Sequence, residues 1–360
     1  MTFDEKLPDL FFDEELRIDF SLTEHGEAAE ILKKKGFGVV LAMNIEQAPE
    51  VFAKIFNTYT SHNIKVIGWP LVGDDKGYWP NKENFDYFSQ KLIKYLKELK
   101  QQGIILDWLC LDVEPTLFSQ KQIMEVHFGF VNYFIRAVRR ALTLKEFSSF
   151  YQKIGSLLDS LHSQGCKVIL VTPLLVTDDL VFKGSVWQKA NHSAVISPET
   201  QKLLPFDAIL FMLFPSEYVD YAHLLFGKKI AQNLFFKTLE SYVVDTYYWA
   251  KERNFEGQIF FQTGLLGETG KRGREPIFEK PEDFYPYAIQ LNALAQKFGF
   301  GRAYYSLEGV TKNGQLKEWL EAVQSKNETL EMVTHSSKFT KLVRKMIYNL
   351  ACIALRVTGK

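Results

Sequence analysis

Short apolar runs alternate along this chain with longer stretches whose apolar residues recur every three or four positions. The runs fall at residues 16–21, 39–44, 65–71, 107–115, 167–173, 207–215, 258–264 and 301–308. Most are continuously apolar, as strands covered on both faces must be. The text between them predicts helices at 26–35 (closed by Gly36), 49–62, 235–253, 287–297 and 316–323. A long helix is predicted over 83–102, with Phe85, Phe88, Leu92, Tyr95 and Leu96 at helical spacing. Residues 118–164 read as two helical pieces meeting near Thr143, and 177–205 read as irregular.

Strand–helix alternation predicts an α/β protein with a parallel sheet. Eight such units predict a closed (β/α)8 TIM barrel with extra helices. A doubly wound open sheet is the fallback, weakened because no glycine-rich phosphate loop follows the first strands. No repeat or linker forces a second domain. Residues 1–330 therefore read as the barrel domain and 331–360 as a basic amphipathic tail helix.

Composition adjusts this picture in three places. Of 360 residues 46% are hydrophobic, enough for a sizeable core, and 30 Phe with 16 Tyr suit both that core and a sugar-stacking surface. Forty-three basic residues balance 43 acidic ones, so no nucleic-acid partner is expected. Cys110, Cys166 and Cys352 lie far apart, with no Cys/His spacing, and read as free thiols in a reducing compartment. No metal or other cofactor is expected. The polar start 1–6 carries no signal peptide pattern and no apolar run reaches about 18 residues, so the expectation is cytoplasmic, without a spanning helix.

The stretch 107–115, Asp-Trp-Leu-Cys-Leu-Asp-Val-Glu-Pro, is the chemical anomaly. Read as a strand, it puts Trp108, Cys110, Asp112 and Glu114 on one face and Leu109, Leu111 and Val113 on the other. Pro115 has no amide donor, so Glu114 falls at the carboxyl end. Two carboxylates on one buried face are costly unless they are used or satisfied. Like charges so placed disfavour joint ionisation, and a carboxyl that keeps its proton is what general-acid attack on a glycosidic oxygen needs. The bland reading is that both cap loops or pair with Arg or Lys.

Barrel chemistry gathers where strands end. The predicted ends are Asn44, Trp69, Asp112 with Glu114, Thr172, Met212 with Phe214, Gln262, and Tyr305 with Glu308. Acids, amides and aromatics of this kind make a carbohydrate site, although Trp69 or Met212 taken singly reads as core packing. In the loop 73–80, Trp79 reads either as part of a substrate lid or as a side chain packed onto the rim. The basic loop with Lys271, Arg272 and Arg274 reads as solvated surface or as a contact for an anionic sugar.

The pattern Asp107-x-x-Cys110-x-Asp112-x-Glu114 resembles the Asp-x-x-Asp-x-Asp-x-Glu signature of family 18 glycoside hydrolases, the chitinases and their relatives. That signature ends the fourth barrel strand, as it does here when 16–21 is counted first. The family's Met-x-Tyr at the sixth strand resembles Met212-Leu213-Phe214. The resemblance implies Glu114 as general acid and Asp112 as the group orienting the substrate's own N-acetyl group during attack on the anomeric carbon. It implies a glycan substrate with N-acetyl sugars, no metal, and Trp69, Trp79 and Tyr305 as sugar platforms. Three positions depart from the family: Cys110 replaces the middle Asp, Phe214 the Tyr, and Pro215 the Asp that often follows. They leave open another glycan, another donor such as Tyr304 or Tyr218, or a catalytically inactive sugar-binding barrel. A two-carboxylate scheme would instead pair Glu114 with Glu308 or Glu268.

From 338 to 360 the chain has six basic residues and no acid, beside a wide apolar face that includes Leu342, Met346, Leu350 and Ile353. Such a helix reads as a peripheral membrane or partner-docking element, or as a terminal helix packed on the barrel wall.

Overall fold

Each strand pairs in parallel with the next one in sequence, and the eighth pairs with the first, so the sheet closes on itself. The computed structural model describes residues 7–14, 21–115, 138–213, 228–264, 266–267, 278–311, 314–325 and 338–358. The strands are β1 (Leu10–Glu14), β2 (Gly38–Asn44), β3 (Val66–Leu71), β4 (Trp108–Asp112), β5 (Lys167–Pro173), β6 (Ala208–Met212), β7 (Gln258–Gly264) and β8 (Gly301–Tyr305). Between and after them run α1 (Leu22–Lys35), α2 (Pro49–Ser61), α3 (Phe85–Gln101), α4 (Leu144–His162), α5 (Val176–Phe182), α6 (Val186–Ala190), α7 (Lys228–Glu252), α8 (Pro281–Phe298), α9 (Leu307–Thr311), α10 (Leu316–Val323) and α11 (Lys338–Val357). This is the (β/α)8 barrel that the alternation of runs predicts.

Alternation along each strand splits the apolar residues into two layers. Leu109, Leu111 and Val113 join the outer layer between sheet and helices. Trp108 and Cys110 join a smaller inner cluster with Phe11, Val40, Trp69, Val171, Leu210, Phe260 and Ala303. Low in the barrel, the Phe11 and Phe260 rings meet edge to face at 5.5 Å. Gly301 makes room for this plug, since a Cβ there would lie 2.1 Å from the Phe260 ring.

Helix boundaries follow local chemistry. Ser21 and Glu24 form a capping box at the start of α1, and Gly36 closes it in the left-handed region at φ 73°. Thr143 and Glu146 do the same for α4, which explains the break near Thr143.

Three expectations change. The first strand is Leu10–Glu14, not 16–21; residues 15–20 lie outside the described residues and Ser21 caps α1. Residues 177–205 are not wholly irregular, since they hold most of α5 and all of α6. The eighth strand stops at Tyr305, so Glu308 belongs to the short helix α9.

Outward from β1, Glu14 is fully buried against α1 and α2. The Tyr59 hydroxyl donates to its Oε2 at 2.7 Å, and His25 Nδ1 lies 3.2 Å from its Oε1. Burial pushes the Glu14 carboxyl up to about 8, opposed by the Tyr59 hydrogen bond, and pushes the His25 imidazole down to about 4, opposed by the Glu24 charge. Glu14 contributes stability that is full below its ordinary 4.5 and lost as pH rises through 8. His25 contributes stability that is full above 6.5 and lost as pH falls through 4. The two slopes cancel between 4.5 and 6.5; from 6.5 to 8 Glu14 supplies most of the slope, and Asp179, pushed up to about 7 by burial, adds to it only below 7. Unfolding free energy should therefore fall by on the order of 2 kcal/mol across that upper window. Urea titrations of the native chain and Glu14→Gln check this: the variant should lose most of the slope, and an equal slope in both would refute it.

Candidate functional site

The carboxyl ends of the strands hold a concentration of acids on the inner face. Asp112 is the last residue of β4, two positions beyond Cys110 on the same side, and is 5% exposed. Glu114 continues the alternation past the strand end at 8% exposure, its backbone N–H donating to the Pro80 carbonyl at 3.3 Å. The reason β4 delivers both acids here is its register: Asp112 pairs with Val171 and Cys110 with Ile169, so the inner face continues into the β5 residues of the inner cluster.

A third acid comes from β1, and the sequence reading missed it. Asp13 is 2% exposed and lies in register with Tyr305 of β8. Gln262 of β7 donates through Nε2 to Asp13 Oδ2. The Cys110 thiol is pushed well up, first by burial and then by the charges of both Asp13 and Asp112. That thiol therefore feels both carboxylates, Asp13 from β1 and Asp112 from β4. It is also inert, since nucleophilic work needs a thiolate.

Aromatic and amide groups surround these acids. Trp69 is buried on the inner face of β3. Among the described residues, the Trp69 Nε1–H and the Gln262 Oε1 are buried with no hydrogen-bond partner. One donor and one acceptor left so at a barrel mouth are what a polar ligand would satisfy. Met212 and Tyr305 are half-buried at their strand ends, against the inner cluster.

Of the two readings of Trp79, packing is the one observed. Tyr78 and Trp79 fold down into the inner cluster with rings edge to face at 4.9 Å. Asn81 and Asn84 side-chain amides both hold the Trp79 carbonyl, at 2.9 and 2.8 Å. Trp79 is only 7% exposed, so it closes the site wall and offers little free face for stacking.

Other candidates fall elsewhere. Glu308 is buried on α9, past the end of β8, and its charge adds to that of Glu14 in raising the Tyr59 hydroxyl. Tyr304 faces outward, packed on Phe12 and Phe37, so it is no donor into the mouth. Thr172 likewise belongs to the outward set and lies 3.2 Å from Ser193 Oγ. Phe214, Tyr218, Glu268 and the basic residues Lys271, Arg272 and Arg274 lie outside the described residues. Among the described residues, no three His, Cys, Asp or Glu side chains come together as a metal ligand set.

Asp13 carried a readable signal. Residues 10–12 are an apolar triple ended by an acid, although Glu14 follows at once and breaks the one-sided pattern that closes β4.

No family model matches the sequence and no curated protein is significantly similar to it. Solved structures do share the fold. The glycoside hydrolase domain of PgaB (BpsB) from Bordetella bronchiseptica is 9% identical with a TM-score of 0.50, over 89% of this chain and 100% of that one. ZgEngAGH5_4, solved in complex with a cellotriose, is 12% identical with a TM-score of 0.54, over 88% of this chain and 95% of that one. A GH5-4 broad specificity endoglucanase from Ruminococcus champanellensis with bound cellotriose is 10% identical with a TM-score of 0.51, over 83% and 85%. At these identities the likeness is one of fold.

Proposed function

We propose that the barrel mouth takes a glycan and hydrolyses a glycosidic bond in it, with Glu114 as general acid and Asp112 assisting. One observation carries the reading: Asp13, Asp112 and Glu114 are all buried at or just past the carboxyl ends of β1 and β4 in a closed parallel barrel. Support in kind comes from the fold neighbours, which are described as glycoside hydrolases, two of them holding cellotriose.

In this scheme Glu114 gives its proton to the glycosidic oxygen, and the leaving sugar departs as an alcohol while positive charge grows on the anomeric carbon. On an N-acetylated sugar the acetamido oxygen attacks that carbon, and the Asp112 carboxylate holds the acetamido N–H and balances the charge. Water then attacks the same carbon and gives a proton to the Glu114 carboxylate, while the bond to the acetamido oxygen breaks and the amide is restored. Where family 18 has its middle Asp this chain has Cys110, a thiol too basic to share a proton with Asp112. Asp13, whose charge acts on the same thiol, is the acid we assign to that neighbourhood. Trp69, Gln262, Met212 and Tyr305 would line the sugar. Glu308 is a poor second carboxylate because it lies on α9, past the end of β8.

Cys110 also favours a second reading, a carbohydrate-binding barrel without turnover. The separating experiment mixes the chain with chitin-, cello- and laminari-oligosaccharides and follows new reducing ends beside calorimetric binding. New reducing ends from an N-acetylated substrate are the expected result. Saturable binding without cleavage selects the binding barrel, and neither signal with any of the glycans sinks both readings.

A further inference from the structure

Among the described residues, the large apolar side chains left exposed are mostly scattered singly, as on any surface. Six of the thirteen are not: Leu342, Val343, Met346, Leu350, Ile353 and Val357 all lie on α11. Their spacing puts them on one stripe, about 22 Å long at the helical rise. The opposite side of α11 is the one that packs on the barrel. Arg344, Tyr348, Ala351 and Leu355 are buried there, with Arg344 bound to Asp178 and Asp245 and Tyr348 donating to Asp179 at 2.9 Å. The helix is thus anchored by one face and presents a second apolar face to the outside.

Along one edge of that stripe run Lys341, Lys345 and Arg356, all exposed. Lys341 is tied at 2.7 Å to Asp245 and stays about half exposed. No acidic residue occurs between 338 and 360. A second copy docking stripe to stripe would bring two basic edges together with no acid on either helix to offset them. An anionic lipid surface meets both features at once, since it supplies negative headgroups at the edge and an acyl layer for the stripe. No helix of the described residues is long and apolar enough to cross a membrane, so the contact is parallel to the surface.

We propose that α11 is a membrane-surface anchor, which lays its outer stripe into the interface of an anionic bilayer while its inner face holds the barrel. The proposal stands apart from the chemistry of the mouth. Its test is flotation of the full chain with phosphatidylcholine vesicles and with phosphatidylcholine/phosphatidylserine vesicles. Partitioning should be about tenfold higher on the anionic vesicles and should weaken as salt is raised. Leu350→Asp with Ile353→Asp should lose vesicle binding by about tenfold or more at unchanged thermal stability, because neither side chain packs on the barrel. Lys345→Glu with Arg356→Glu should abolish the preference for anionic lipid. Absence of flotation by the native chain overturns the proposal, as does a double Asp variant that floats like it. A concentration-dependent dimer or a captured protein partner that the Asp pair dissolves overturns it too. So does a lowered melting temperature in that variant, which would mean that the chain itself covers the stripe.

Discussion

Glu114→Gln is expected to lower glycan turnover by roughly 10²–10⁴-fold, the usual worth of a positioned general acid, while leaving oligosaccharide affinity within a few-fold. The amide has the shape of the acid but no proton to give to a leaving oxygen at neutral pH. The backbone at residue 114 should not move, because its link to the Pro80 carbonyl is made by the main-chain N–H. Loss should therefore appear in kcat, with KM or Kd nearly constant. An activated substrate with a good leaving group should recover part of the rate in the variant, since such a group departs with little protonation. Turnover equal to that of the native chain would remove Glu114 from the chemistry. Asp112→Asn is the complementary variant: it should slow N-acetylated substrates more than sugars bearing a 2-hydroxyl.

What made β4 legible was a conflict between levels. Its odd and even residues alternate as a strand must, yet two acids share the side that closure of the barrel would bury. A single sequence shows that conflict directly. β1 hid the same feature because acids stand on both of its faces. Asp13 enters the barrel, where Gln262 meets it, and Glu14 points outward to Tyr59 and His25. With polar ends on both sides, 10–14 lacks the one-sided pattern of a strand, whereas 16–21 has it. Only the pairing of β1 with β2 and β8 decides the matter, and that is long-range information.

Elements ended by local chemistry were read closely, and those governed by tertiary contact were not. Residues 167–173, 258–264 and 316–323 agree with β5, β7 and α10 to the residue. α8 starts earlier than its apolar spacing suggests, because Pro281 opens it and Pro286 is tolerated within its first turns. Glu308 looked like a strand-end acid only because the polypeptide turns into α9 immediately after Tyr305. The tail shows the same limit, since spacing identified an amphipathic helix but could not say which of its cations faced inward.

That inward cation underlies the largest expected effect on stability. Arg344 is 5% exposed, with Nε and Nη2 on Asp178 Oδ1 at 2.9 and 2.5 Å and Nη1 on Asp245 Oδ2 and Ser241 Oγ at 2.8 Å each. Its guanidinium also lies 3.7 Å from the centre of the Tyr242 ring, while Tyr242 donates to Asp178 at 3.1 Å. Burial raises the Asp178 carboxyl even against the pull of Arg344, so the guanidinium is what makes that carboxylate tolerable. Arg344→Met removes it, leaves Asp178 and Asp245 buried without its charge, and should cost about 3–5 kcal/mol. Arg344→Lys should recover only part of this, because an ammonium can neither reproduce the forked contacts nor stack on the Tyr242 ring as a flat group does. Adding Asp178→Asn and Asp245→Asn to Arg344→Met should restore much of the loss, which separates stranded charge from lost packing. Urea unfolding of the four proteins measures these differences. An Arg344→Met chain within about 1 kcal/mol of native would mean that the buried triad does not hold α11 in place. In that case the outer stripe of the helix would also lack the fixed orientation that membrane anchoring requires.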